Sequence, residues 1–117
     1  MVKVHLHGEK EMVTINAMID SGATEDFINP EVCNKHGIKT TKATNPREIY
    51  LADGKPSAMG LVTHMTKVPM DISSHRELAT FQVANLQKHE VILGMLWLRK
   101  HNPTIDWHDK KITFSDE

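Results

Sequence analysis

The residues with the clearest chemical potential lie between Met18 and Phe27, where an apolar run stops at Asp20 and continues into Ser21 and Gly22. A carboxylate at the end of a core strand can act as an acid or a base. Ser21 can hydrogen-bond that carboxylate, and Gly22 lets other backbone approach it closely. Asp, Ser and Gly are also ordinary turn formers, so these three residues alone fit a tight turn equally well.

Zinc chemistry fits the sequence less well, although the chain has eight histidines. Three segments carry part of a zinc pattern: His5-x-His7, Cys33-x-x-His36 and His89-Glu90-Val91-Ile92-Leu93. The two pairs lack further ligands at the usual spacing, and Leu93 stands where the metalloprotease signature needs its second histidine. We therefore expect no metal and no other cofactor.

Nucleophilic catalysis by Cys33 or Ser21 is also disfavoured. Cys33 falls inside a predicted short helix, where it is expected to pack as a small hydrophobe. Ser21 follows Asp20, whereas a serine nucleophile of the G-x-S-x-G type follows a turn of small residues. The sequence contains no glycine-rich phosphate loop.

The elements that must position Asp20 begin at the first residues of the chain. Val2 to Leu6 alternates apolar and polar residues, which predicts a half-buried strand, and Gly8 to Glu11 predicts a turn. Met12 to Ile19 should then return antiparallel and present Asp20 at its end.

Further along, Asn29-Pro30-Glu31 is typical of a helix start and Gly37 of a helix end, which predicts a helix from Pro30 to His36. Lys39 to Pro46 is polar and predicts a loop. The Asp53-Gly54 pair between two strand-like runs, Arg47–Ala52 and Lys55–Met59, predicts a hairpin.

The remainder predicts more strands and one more helix. The expected strands are Leu61–Met70, Glu77–Asn85, Val91–Leu93, Thr104–Trp107 and Lys111–Ser115, with a turn over Asp71–Arg76 and a helix over Met95–His101 after Gly94. Nine or ten short strands with two small helices favour a closed or folded-over β structure, in one domain over residues 1–117.

The overall composition limits the classes of partner that the chain is expected to bind. Lys and Arg total 14 against 15 Asp and Glu, so no net basic field attracts nucleic acid or anionic lipid. The single cysteine excludes an internal disulfide. Met1 to Lys10 lacks the apolar core of a signal peptide and no apolar run has the length of a membrane span, so we expect neither. We expect a soluble, intracellular and cytoplasmic protein without nucleic-acid or membrane partners.

The combination of motifs tips the balance at Asp20 away from a simple turn. The motifs are Ile19-Asp20-Ser21-Gly22-Ala23-Thr24, Phe27-Ile28, Leu51-Ala52-Asp53-Gly54 and Val91-Ile92-Leu93-Gly94-Met95-Leu96-Trp97-Leu98. Together they resemble the retropepsins, the aspartic proteases of retroelements, and among them the gypsy class of long-terminal-repeat retrotransposons. The resemblance runs from Val13 to Phe114. Leu96 departs from it, because many relatives have proline there.

The resemblance implies an all-β, retropepsin-like acid-protease fold: a small closed β-barrel with one or two short helices, active as a homodimer within a retroelement particle. It implies catalytic roles for Asp20, Ser21 and Gly22, substrate contacts from Ala23, Thr24 and a flap at Ala52, Asp53 and Gly54, and structural support from Leu93 and Gly94. The substrate would be an extended peptide or polyprotein. The strands near the chain ends, Lys111 to Ser115 with Val2 to Leu6, would contribute to the dimer.

Other residues near these motifs are expected to lie at the surface, in the cleft or in the core. Glu25 and Asp26 are expected to be surface or cleft charges, and Trp97, His101 and Trp107 to be packing residues. One alternative function stays open, a non-catalytic or domesticated protein that keeps this fold for peptide binding and dimerisation.

Overall fold

The computed structural model of the chain describes residues 2–9, 11–50, 56–73, 75–101, 103–106, 108 and 111–113. Nine strands and two helices lie in this part of the chain. In order they are β1 Val2–His7, β2 Met12–Ile19, β3 Phe27–Ile28, α1 Pro30–His36, β4 Thr41–Tyr50, β5 Pro56–Ile72, β6 His75–Val83, β7 Val91–Leu93, α2 Met95–His101, β8 Thr104–Asp106 and β9 Lys111–Thr113.

Six of the strands form a closed barrel. Their order is β1-β2-β7-β3-β6-β5, and β1 also pairs with β5, which closes the sheet on itself. Strand β4 adds to β5 outside the ring, and β8 and β9 form a separate antiparallel pair. This architecture confirms the predicted all-β barrel with two short helices.

The β1–β2 hairpin forms as the alternating pattern predicts. Val13, Ile15 and Ala17 of β2 point inward and are at most 8% exposed, while the residues between them face solvent. A strand that buries every second side chain in this way has its register fixed, because a slip of one residue would expose all of its apolar side chains. The hairpin therefore delivers Asp20 to a defined position.

Helix α1 begins and ends at the predicted residues. The side chain of Asn29 accepts a hydrogen bond from the backbone N of Glu31 at 3.1 Å, and Gly37 ends the helix with φ 67°. Asn29 is 4% exposed, and its Nδ2 also donates to the carbonyls of Gln87 (3.1 Å) and His89 (3.2 Å). The cap therefore ties α1 to the loop before β7.

The change Asn29→Asp separates these two roles. Aspartate caps helices about as well as asparagine, but it has no N–H to donate to the two carbonyls. We expect urea denaturation to show a loss of about 2 kcal/mol in the free energy of unfolding. A variant as stable as the parent would show that the Nδ2 contacts contribute nothing.

Two predictions about the middle of the chain are wrong. The Lys39–Pro46 loop is largely strand, because β4 pairs with β5 from Thr41 onward through a register shift between Lys42 and Arg47 that contains Pro46. Proline is tolerated at a bulge in an outer strand, where polar side chains are tolerated too. The separate strands Lys55–Met59 and Leu61–Met70 are one strand, β5, which continues through Gly60.

The turn predicted over Asp71 to Arg76 is also wrong in extent. Strand β5 continues to Ile72 and β6 starts at His75, so the turn is tight and contains Ser73 at φ 52°. Asp71 lies opposite Arg76 and accepts two hydrogen bonds from its guanidinium, at 2.7 and 3.0 Å. These bonds, with one from His7, hold the pKa of Asp71 well below its usual range. The pairing of β5 with β6 therefore continues into the polar segment that was predicted to be a turn.

Other predictions meet the structure only in part. The strand Glu77–Asn85 is shifted by two residues to His75–Val83. The last two strands are found over Thr104–Asp106 and Lys111–Thr113, and the residues predicted to extend them lie outside the described part of the chain. The flap residues Ala52, Asp53 and Gly54 lie outside the described residues, as does Trp107. Among the residues described, no helix has the length and apolar character needed to cross a membrane.

Candidate active site

Asp20 lies where two parallel strands end side by side. Strands β2 and β7 pair in parallel, with Ile19 opposite Leu93, and the backbone N of Asp20 donates to the Leu93 carbonyl at 3.0 Å. Leu93 is fully buried, whereas Asp20 is partly exposed. The pairing brings the segment after Asp20 and the segment after Leu93 to the same edge of the barrel.

The carboxylate of Asp20 is oriented by the next residues. The backbone N of Gly22 donates to its Oδ1 at 2.8 Å, and the N of Ala23 donates to the Asp20 carbonyl at 3.1 Å. A Cβ on Gly22 would lie 3.1 Å from that Oδ1. Ser21 and Gly22 are exposed, while Ala23 is 5% exposed and packs into a small apolar cluster beneath the turn. The turn therefore presents a fixed carboxylate to solvent.

Gly94 lies against the backbone that follows this turn. A Cβ at position 94 would come within 2.3 Å of the Glu25 carbonyl oxygen and 2.6 Å of the Ala23 carbonyl oxygen. Real Cβ atoms essentially never approach backbone this closely. Only glycine fits here, because it alone has no Cβ.

The first residues of α2 bind the same backbone. The N of Met95 donates to the Ala23 carbonyl at 2.8 Å, and the N of Leu96 donates to the Thr24 carbonyl at 3.2 Å. The amides at a helix start have no hydrogen-bond acceptor inside the helix, so the two carbonyls of the turn segment supply the acceptors that these amides need. Helix α2 thus holds the segment that follows Asp20.

Asp26 completes this junction, and its prediction as a surface or cleft charge is wrong. The residue is buried at 9% exposure, and its Oδ1 accepts from the backbone N of Gly94 at 2.9 Å. Burial raises the pKa of Asp26 to about 6, although hydrogen bonds from the Gly94 and Trp97 amides act in the opposite direction. The signal in the sequence was slight, namely that Asp26 directly precedes the apolar pair Phe27-Ile28.

The raised pKa of Asp26 predicts a pH dependence of stability. The folded protein holds a proton on this carboxyl between its unfolded pKa of 3.8 and about 6, where the unfolded chain has lost it. The stabilisation is thus fully present below pH 4 and is lost as the pH rises through 6. Relative to the Asp26→Asn variant, which cannot ionise, the free energy of unfolding should fall by about 2.5 kcal/mol between pH 4 and 7.5.

Denaturant unfolding of both proteins across this pH range measures the difference. Asparagine keeps an oxygen that can accept from the Gly94 amide, so the comparison isolates ionisation. Parallel stability curves would contradict the raised pKa.

The structure brings most of the predicted site residues together. Asp20, Ser21, Gly22, Ala23 and Thr24 form one segment, and Leu93 and Gly94 lie next to it through the contacts above. Cys33 lies apart in α1, 3% exposed, and burial raises the pKa of its thiol, which disfavours the reactive thiolate. Trp97 is 2% exposed and packs in the core.

Comparison with known proteins places this arrangement in a family. Residues 16–117 match the family model described as the PEG10/RTL1 protease domain. The chain belongs to this family. Membership in the PEG10/RTL1 protease domain family confirms the resemblance to retropepsin-type proteases. The chain is therefore a domain of the protease type.

A solved structure supports the fold of this PEG10/RTL1 protease domain. The retroviral protease-like domain of Ddi1 from Leishmania major superposes with a TM-score of 0.66. The match has 18% sequence identity and covers 100% of this chain and 90% of the other. At this identity the similarity speaks for the shared barrel fold alone.

Proposed function

We propose that this protein is an aspartic endopeptidase whose active site forms between two copies of the chain, each contributing Asp20. The observation that carries the proposal is the Asp20 carboxylate, fixed by the Gly22 amide at the exposed edge of the barrel. Family membership in a protease-domain class supports the same reading. The proposal assigns the chain half of a catalytic centre.

Two carboxyl groups are needed because the reaction requires both a base and an acid. In the proposed dimer, water lies between the two Asp20 side chains. The ionised carboxylate takes a proton from the water, and the protonated one donates to the oxygen of the scissile carbonyl. Carboxyl groups about 3 Å apart share a single proton and so provide both forms at once. This chemistry uses no metal and no covalent intermediate.

The surface around Asp20 supports a partner copy. Ser21 and Gly22 are exposed beside the carboxylate, and Leu96, whose amide binds the Thr24 carbonyl, is 58% exposed. A large exposed apolar side chain next to a polar catalytic turn fits a surface that a second copy covers. A two-fold axis near the turn would place the same residues on both sides of the interface.

The substrate in this proposal is an extended peptide, such as a segment of a retroelement polyprotein. Its backbone would pair with the segment at Gly22, and Ala23 and Thr24 would line the cleft, as strands bind in β-augmentation. The flap assigned to Ala52, Asp53 and Gly54 would close over the peptide. Ser21 would hydrogen-bond across the dimer and hold the two turns together.

The test is a cleavage assay with a mixed peptide library at high protein concentration, between roughly pH 4 and 7, where carboxyl pairs work. We expect cleavage that pepstatin inhibits and that rises more steeply than linearly with protein concentration. Absence of cleavage from protein shown to be dimeric would refute the proposal and favour the alternative, a domain that binds peptides without turnover.

A further inference from the structure

Two histidines and a glutamate converge at the other end of α2, away from the Asp20 turn. His75 and Glu77 lie on β6, and His101 is the last residue of α2. The Nε2 atoms of both histidines approach the same Glu77 oxygen, His75 at 2.7 Å and His101 at 2.5 Å. The side chain of His75 is 13% exposed, that of Glu77 is 11% exposed and that of His101 is 7% exposed. The three side chains form a largely desolvated cluster.

The local structure orients these side chains. His75 and Glu77 are two residues apart on a strand, so both point to the same face of the sheet. Arg76 points to the opposite face, where Asp71 binds it, and its charge is directed away from the cluster. The ring of His101 packs on buried Trp97 at 5.1 Å and meets the ring of His75 edge-on at 4.7 Å and 71°.

This donor set matches a known coordination chemistry. Imidazole nitrogens and a carboxylate oxygen are ligands that zinc accepts, and three protein ligands with one water complete a tetrahedral site. One ligand atom from each residue can be chosen so that all lie within 4.8 Å of one another. Zinc bonds of about 2.0 Å would separate tetrahedral ligands by about 3.3 Å, so small side-chain movements suffice.

We propose that His75, Glu77 and His101 form a zinc-binding site. Neither the zinc patterns in the sequence nor the proposed peptidase chemistry involves these three residues. The bound ion would join the start of β6 to the end of α2, whose first residues hold the segment after Asp20. Structural zinc sites usually have four protein ligands, so this three-ligand site would keep one coordination position open. The bound ion would link two elements that are distant in the sequence, and this link would not depend on peptidase activity.

The competing account has no metal, with both imidazoles donating N–H groups to the Glu77 carboxylate. The two accounts differ at the Nε2 atoms, which carry protons in one and the metal in the other. Nitrogen chemical shifts of the histidine rings distinguish these states directly.

The experiment uses the chain without an added histidine tag, treated with a chelator and then titrated with zinc chloride. Calorimetry should show one zinc per chain. At free zinc of about 100 times the Kd, the midpoint of thermal unfolding should rise by roughly 5 °C or more. In the NMR spectrum the Nε2 signals of His75 and His101 should shift to the metal-bound range, while that of His64 stays in place.

Matched variants assign the site. His75→Gln and His101→Gln should each weaken zinc binding by at least about tenfold. His64→Gln changes an exposed histidine on β5, outside the cluster, and should leave zinc binding unchanged. Unchanged Nε2 signals in the parent chain at saturating zinc, or equal binding by all three variants, would overturn the proposal. The NMR result stands on the parent chain even if a variant fails to fold.

Discussion

The change Asp20→Asn is expected to reduce peptide cleavage by about a thousandfold or more, because the amide can neither take a proton from water nor share one with its partner. The fold should survive the change. Asparagine keeps an oxygen that can accept the hydrogen bond from the Gly22 amide, and the residue is partly exposed. Thermal unfolding should therefore give nearly the same midpoint as the parent.

A steady-state assay with one cleaved peptide measures this effect. Glu31→Gln is the matched control, since it also neutralises a carboxylate, but on the exposed side of α1. The control should keep the parent rate. If the Asp20→Asn variant retained more than about a tenth of the parent activity, Asp20 would not be the catalytic carboxyl in the sense of general acid–base catalysis.

The change Gly94→Ala is expected to be the most destabilising single methyl addition among the described glycines. The new Cβ would meet two backbone oxygens, at 2.3 and 2.6 Å, and backbone cannot move aside as a flexible side chain can. Relief requires α2 to move away from the Ala23–Glu25 segment. That movement weakens the amide bonds from Met95 and Leu96 and the Gly94 bond to Asp26. We expect a loss of about 3–5 kcal/mol in the free energy of unfolding.

Gly37→Ala provides the contrast for this prediction. The position has nothing within 4 Å of the new Cβ, so the change meets only the strain of a left-handed backbone at φ 67°. That strain costs about 1–2 kcal/mol. Urea denaturation of the two variants compares a steric clash with a conformational penalty. Equal losses would show that the junction at Gly94 yields more easily than its contacts indicate.

Local elements of this fold could be predicted closely from the sequence, because their signals are short-range. The alternation in β2 and the capping residues of α1 each lie within a few residues of what they specify, and their bounds match the structure. The Lys39–Pro46 segment failed for the converse reason. Its polar residues resemble a loop, and only pairing with β5 shows them to be strand.

Contacts between distant segments could not be predicted from local sequence patterns. The parallel pairing of β2 with β7 joins residues more than 70 positions apart, yet it is what brings Gly94 beside Ala23. Asp26 is buried because its partner is the Gly94 amide, so its sequence neighbours gave little sign of burial. The Asp20 turn was singled out only together with the other motifs along the chain, because Asp, Ser and Gly alone also fit an ordinary turn.

A subunit-mixing experiment tests the central claim most directly, namely that two copies of Asp20 form one active site. Parent chain, at a concentration where sedimentation shows it to be dimeric, is refolded together with a tenfold excess of the Asp20→Asn variant. Random pairing leaves roughly one parent chain in eleven with a parent partner in a two-fold dimer. We predict that cleavage per parent chain falls by roughly tenfold relative to parent refolded alone. Unchanged activity would contradict the account, because it would show that a single chain holds a complete catalytic site.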